Sequence, residues 1–198
     1  MIKFLLFAFL IAALFCFYFG IFTKTPIFNT IMKPQTFIYK NFQGDINGIK
    51  EEWEKYIELF KKRFNDNDWN YLNCMTFYYE SPESCKDPKK MRYSLGLRVL
   101  AHHTELFNKI KNDGFEMVDL PQIETFFLYI PWRNFITFFF FGYFWKKIGE
   151  YFKKNDFHKV KNCVGIEVMK YFEGIIEIHM TVDSTNNSRY FLTKFPEP

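Results

Sequence analysis

The sequence has no Gly-rich phosphate loop. Neither G-x-x-x-x-G-K-[ST] nor G-x-G-x-x-G occurs, which excludes the usual nucleotide cradles. G-x-S-x-G and H-E-x-x-H are missing too, so the common nucleophile elbow and zinc-protease helix have no counterpart. Cysteine is sparse. The four residues, Cys16, Cys74, Cys85 and Cys163, never take C-x-x-C spacing, so they imply neither a metal site nor a disulfide framework and read as reduced thiols. Among the histidines, His102 and His103 are neighbours that point in different directions from a helix, and His158 sits among lysines. No block of one charge exists either. The net charge of +4 arises from interspersed Lys and Glu, and no zinc-finger, RRM or KH pattern is present, which argues against direct nucleic-acid contact. These absences set the expectation of a non-enzymatic chain without metal or cofactor.

What is abundant is apolar character. Apolar residues make up 48% of the 198, enough to build the core of one domain of ordinary size. Phe is the commonest of them at 28 residues, much of it in two runs. The first, Phe4 to Phe22, is unbroken and just long enough to span a hydrocarbon core. Lys3 precedes it and Thr23-Lys24-Thr25-Pro26 ends it. A cleaved signal peptide is the alternative, but the run is longer than a typical h-region, and it ends in bulky residues where a peptidase needs small ones. Residues 1–25 therefore read as a transmembrane anchor in the lipid bilayer, and 26–34 as a linker. Lys24, Lys33 and Lys40 follow the span, against Lys3 before it, so the positive-inside rule favours a cytosolic body. The triplet Asn186-Asn187-Ser188 is a usable glycan acceptor only if the body is lumenal. The second run, Phe135 to Trp145, is too short to span and reads as a buried helix, with contact to a membrane surface or partner as its other reading.

The body reads as one unit used twice. Gln35 to Phe42 is rich in β-branched and aromatic residues, as a strand requires. Asn47 is a plausible helix cap, and Ile49, Trp53, Tyr56, Ile57, Phe60 and Phe64 recur on one helical face. Glu51 and Glu52 at its start, with Lys61, Lys62 and Arg63 at its end, suit the helix dipole. Strands follow at Leu72 to Glu80 and Met91 to Leu100. A short helix, His102 to Asp113, and a small strand at Glu116 lead into a second round. That round comprises a strand at Ile123 to Ile130, a helix at Phe135 to Asn155, and a hairpin of Val164 to Tyr171 with Ile175 to Val182. The expected fold is α+β, a duplicated β-α-β-β over 35–183 with a short tail at 184–198, the helices on one face and a groove on the other.

Two places carry candidate chemistry. On the last hairpin, Glu167, Glu177 and His179 interrupt apolar alternation, and they are expected together on one sheet face. They make either a solvated surface or a groove with a central carboxylate for a cationic or hydrogen-bonding small molecule. The second place is Asp66-Asn67-Asp68-Trp69-Asn70-Tyr71-Leu72, acidic and then aromatic-x-x-aliphatic. Extended peptides of this pattern dock on ubiquitin-like autophagy modifiers by β-augmentation, Trp69 and Leu72 filling two pockets; the bland reading is a loop entering a strand.

Phe77-Tyr78-Tyr79-Glu80-Ser81-Pro82, a loop punctuated by Pro88, then Arg92-Tyr93 and Gly96 resemble the central hairpin of GyrI-like domains. Ile166-Glu167-Val168 is similar to that family's glutamate-bearing strand, although Met169 stands where the family often has Tyr. With the anchor placed first, the order of units resembles most the membrane-anchored testis-expressed protein 264 family. The resemblance implies an endoplasmic-reticulum membrane protein with a cytosolic GyrI-like domain, acting in recruitment as a receptor for selective autophagy of that organelle. In that family the modifier-binding motif lies in a long C-terminal tail, which the residues up to Pro198 do not include. Only Glu167 carries over as a groove residue. The alternative is a membrane-tethered small-molecule-binding domain centred on Glu167, with a hydrolase ranked last.

Overall fold

The computed structural model describes residues 2–18, 26–79, 87–100, 103–131, 136–155, 164–170 and 173–182. Eight antiparallel strands form one sheet: β1 (Phe28–Met32), β2 (Gln35–Gly44), β3 (Leu72–Tyr78), β4 (Met91–Val99), β5 (Glu116–Leu120), β6 (Ile123–Pro131), β7 (Gly165–Lys170) and β8 (Ile175–Thr181). The helices are α1 (Ile2–Tyr18), α2 (Ile49–Arg63), a single turn α3 (Asp66–Trp69) and α4 (Ile136–Lys154).

The strand order is β1-β6-β8-β7-β3-β4-β2-β5. The duplication lies within it. β2-α2-β3-β4 and β6-α4-β7-β8 each place their last strand in the middle, and β3 pairs with β7 to join the halves. The order also dictates curvature. β1 and β2 are separated by five strands, yet only Lys33 and Pro34 connect them. A link of that length reaches at most about 11 Å, whereas a flat sheet would hold the two strands about 29 Å apart. Pro121 and Gln122 make an equally short link from β5 to β6. The sheet must therefore roll until its two ends meet.

Rolling gives the sheet an outer and an inner face, and both are buried. The outer face carries α2 and α4. Phe60, Ile148 and Phe152 pack there on Leu95, Leu97, Ile176 and Ile178. Complete burial of a side chain such as Phe60 contributes roughly 1.5–3 kcal/mol. The inner face is a second core of Phe37, Met75, Phe77, Ile166 and Val168. The groove expected opposite the helices is thus largely filled by apolar side chains. Gly96 has a specific job here. A Cβ on it would overlap the carbonyl oxygen of Ile38, so only glycine lets β2 lie this close to β4.

Several local expectations change. Residues 26–34 are no simple linker, because Phe28–Met32 forms β1 and pairs with β6. The cap before α2 is Asp45, which accepts from the Asn47 amide and opens a 3-10 turn, Ile46–Gly48. The expected helix after β4 is two 3-10 stretches, Thr104–Lys109 and Lys111–Asp113, closed by Gly114 at φ 82°. α4 is a buried helix in its C-terminal half, where Phe144, Ile148 and Phe152 enter the core. α1 is apolar on every side and exposed, with Phe4 74% and Leu14 60% accessible. Its 17 residues reach about 25 Å, against about 30 Å of hydrocarbon. Among the described residues no helix is long and apolar enough to cross a membrane; positions 19–25 of the expected anchor lie outside them. The segment 80–86, His102, His158, Cys85, Cys163 and the triplet at 186–188 also lie outside the described residues.

Candidate functional site

The register of the last hairpin decides which side chains share a face. Lys170 pairs with Ile175, so Glu167 lies opposite Ile178 and Val168 opposite Glu177. Directly paired residues in an antiparallel ladder project to the same side. Glu167 is therefore on the outer, helix-covered face, while Glu177 and His179 are on the inner one. The expectation that all three line one groove is corrected. Each strand alternates as predicted, but the turn at Glu173-Gly174 sets the second strand out of phase with the first.

Glu167 is 6% exposed. Its neighbours follow from the ladder: Thr76 lies directly across on β3, and Tyr78 two pairs along on the same face. The Tyr78 hydroxyl donates to Glu167 Oε2 at 2.9 Å. From α2, the Trp53 indole N–H donates to Thr76 Oγ1 at 3.3 Å. From α4, Trp145 meets Tyr78 edge-on at 5.4 Å between ring centroids. Trp145 also lies so close to Gly165 that a Cβ there would be 2.8 Å from its ring. Aromatic side chains of both helices thus converge on the strands that hold this carboxylate. Burial raises the Glu167 pKa from 4.5 to about 7, with the Tyr78 hydrogen bond pulling the other way. Among the described residues no cation is paired with it. Burial also pushes the nearby Cys74 thiol up to about 12, so it is no nucleophile at neutral pH.

On the inner face Glu177 makes an ion pair with Lys170 and a hydrogen bond with His179. Lys170 Nζ lies 2.7 Å from its Oε1, and His179 Nε2 lies 3.4 Å from its Oε2. The other ring nitrogen, Nδ1, is 3.0 Å from Thr125 Oγ1. Burial lowers the His179 pKa, against the opposing pull of Glu177, so the ring is neutral at pH 7. The neutral ring then takes one tautomer: Nε2–H donates to Glu177, and Nδ1 accepts from the Thr125 hydroxyl. Burial alone would raise the Glu177 pKa, but hydrogen bonds from His179 and Lys170 prevail and hold it at about 2.

The docking segment expected at Trp69 and Leu72 is consumed by the fold. Asp66–Trp69 is a helical turn with a capping box between Asn65 and Asp68. Trp69 packs edge-on against Phe60 and Phe64, at 6.5 and 6.2 Å between centroids. Leu72 is 3% exposed and opens β3, which has partners on both sides. The segment is neither extended nor at a sheet edge, so it cannot add a strand to another protein as it stands. Among the described residues no three His, Cys, Asp or Glu side chains form a group that could hold a metal ion.

Tyr78 was missed as a site residue in the sequence, although the alternation of β3 puts it out of step with Phe77 and Tyr79. Those two lie in the inner core, and the Tyr79 hydroxyl hydrogen-bonds Ser94 at 2.9 Å. Arg98, also unremarked, reaches the inner face close to Glu177.

No protein-family profile matches the sequence, and no curated protein matches it. Solved structures do match. An integron cassette protein from the mobile metagenome of Vibrio cholerae superposes with a TM-score of 0.52 at 10% identity, over 79% of this chain and 95% of its own. A protein solved with tetraphenylphosphonium bound has a TM-score of 0.51 at 10% identity, over 80% and 94%. A candidate bacterial transcription regulation protein from Staphylococcus aureus has a TM-score of 0.50 at 11% identity, over 81% and 100%. The curled antiparallel sheet with its two long helices is the GyrI-like α+β fold.

Proposed function

We propose that this chain is a small-molecule-binding domain, and that Glu167 is the anionic centre of a site for a lipophilic cation. One observation carries the reading: Glu167 is a carboxylate enclosed beneath two helices with a tyrosine hydroxyl, but among the described residues no cation, beside it. An ionised carboxylate without a counter-charge is costly in such a place, and a bound cation relieves that cost. Trp53, Tyr78 and Trp145 supply the aromatic surfaces that an organic cation prefers. The tetraphenylphosphonium held by one structure of the same fold is a ligand of this class. The ligand is bound, not transformed. Titration with tetraphenylphosphonium, followed by calorimetry, tests the site. Saturable binding that Glu167→Gln weakens at least tenfold is expected, and equal binding by the variant contradicts it.

Membrane attachment is the second part of the proposal. α1 exposes apolar side chains on every side, with Lys3 its one charged residue. A helix of that composition is stable when lipid surrounds it. An endoplasmic-reticulum membrane with a cytosolic body is the location that the sequence resemblance implies. The full chain should float with phosphatidylcholine vesicles in a density gradient, and Phe9→Asp/Leu10→Asp should stay at the bottom. Flotation of both alike would remove α1 from the account. A recruiting role through Trp69 and Leu72 has no support, since both side chains serve the core.

A further inference from the structure

We infer that the cleft at one end of the inner face is a second ligand site, which takes a small organic monocarboxylate. The cleft holds about 370 Å³ between β1 with its connection to β2, the end of β4, and the middles of β6 and β8. That volume lies at the small end of the range for small-molecule sites. It is on the opposite side of the sheet from Glu167, so the two sites are separate.

The chemistry of the cleft is set by Arg98. Its Nε is buried and has no hydrogen-bond partner among the described residues. Buried N–H donors almost always find an acceptor, and a guanidinium without one is matched by a planar, two-oxygen anion. Lys33 adds a second positive charge to the lining. Glu177 is the carboxylate there, but Lys170 and His179 already engage its two oxygens. Its presence disfavours a dianion and leaves room for a single negative charge. The wall is apolar and flat, because the His179 ring stacks on Phe127 at 5.1 Å between centroids. Leu100, at 38% exposure, stands in the lining as an open apolar side chain. A carboxylate against the Arg98 guanidinium, with an aromatic or aliphatic body against Phe127, matches both the charge and the apolar wall of the cleft.

Benzoate is the probe, with benzamide as its neutral counterpart, titrated into the full chain and read by calorimetry. Benzoate should bind saturably, benzamide at least tenfold more weakly, and Arg98→Gln should lose at least tenfold in benzoate affinity. Tetraphenylphosphonium should not displace benzoate. Lys50→Gln, which removes an exposed positive charge on α2, should bind as the wild type does. Should Arg98→Gln fail to fold, Leu100→Glu places a second negative charge at the cleft from an exposed position, and it should weaken benzoate binding at least tenfold. No benzoate binding by the wild type, equal binding of benzamide, displacement by tetraphenylphosphonium, a loss in Lys50→Gln, or unaltered affinity in the folded cleft variant would each overturn the proposal.

Discussion

Glu167 and Glu177 are ten residues apart and respond to pH with opposite signs. The folded-state pKa of Glu167, about 7, lies above its ordinary 4.5. The native chain therefore holds this proton more tightly than the unfolded chain does. Its contribution to stability is complete below pH 4.5 and is lost as pH rises through about 7. At about 1.4 kcal/mol per pH unit, the loss is on the order of 3 kcal/mol. Glu167→Gln cannot ionise and escapes it. In urea unfolding the variant should gain on the wild type progressively from pH 5 to pH 8, by an amount approaching ~3 kcal/mol. A stability difference that stays constant over that range would show that the carboxyl is not held in its neutral form. For Glu177 the folded pKa is depressed to about 2, so its stabilisation is present above pH 4.5 and fades as the pH falls towards 2. His179, neutral at pH 7, keeps its two hydrogen bonds in the one tautomer that both partners accept.

At the level of elements, the α3–β3 junction makes a fold out of what resembled a docking peptide. Leu72→Ala should destabilise the chain by about 2–5 kcal/mol, the usual range for emptying a closed leucine site. A fully stable Leu72→Ala variant in thermal unfolding would contradict the buried placement and return the segment to the surface. The sequence pattern announced the strands and long helices because period-2 and period-3.6 alternation are properties of each element alone. It did not reveal which face of one strand matches which face of the next. That phase depends on the turn, and at Glu173-Gly174 it separates Glu167 from Glu177. β1 was hidden for a related reason: five residues beside an apolar run carry no pattern of their own, and pairing with β6 makes them a strand. The helix expected over 102–113 became 3-10 turns, since Leu106 and Ile110 are buried there without a regular α-helical backbone to present them.

At the scale of the whole molecule, two short links roll the sheet, and rolling creates two different interiors. Outside, beneath α2 and α4, lies a buried carboxylate hydrogen-bonded to Tyr78 and, among the described residues, without a cation. Inside lies an arginine whose Nε has no hydrogen-bond partner among the described residues. The duplication was legible from the order of elements, whereas the face that Glu167 occupies was not. The rolling was not, because it depends on which strands pair at a distance. The central claim is that Glu167 receives a cation, and a cation there must compete with a proton whose pKa is about 7. The most direct measurement is the dissociation constant of tetraphenylphosphonium between pH 5 and pH 9, for the wild type and Glu167→Gln. The account predicts wild-type affinity that rises up to about tenfold per pH unit below 7 and levels off above it, and a flat, weak profile for the variant. A flat wild-type profile, or a rise that the variant retains, would contradict it.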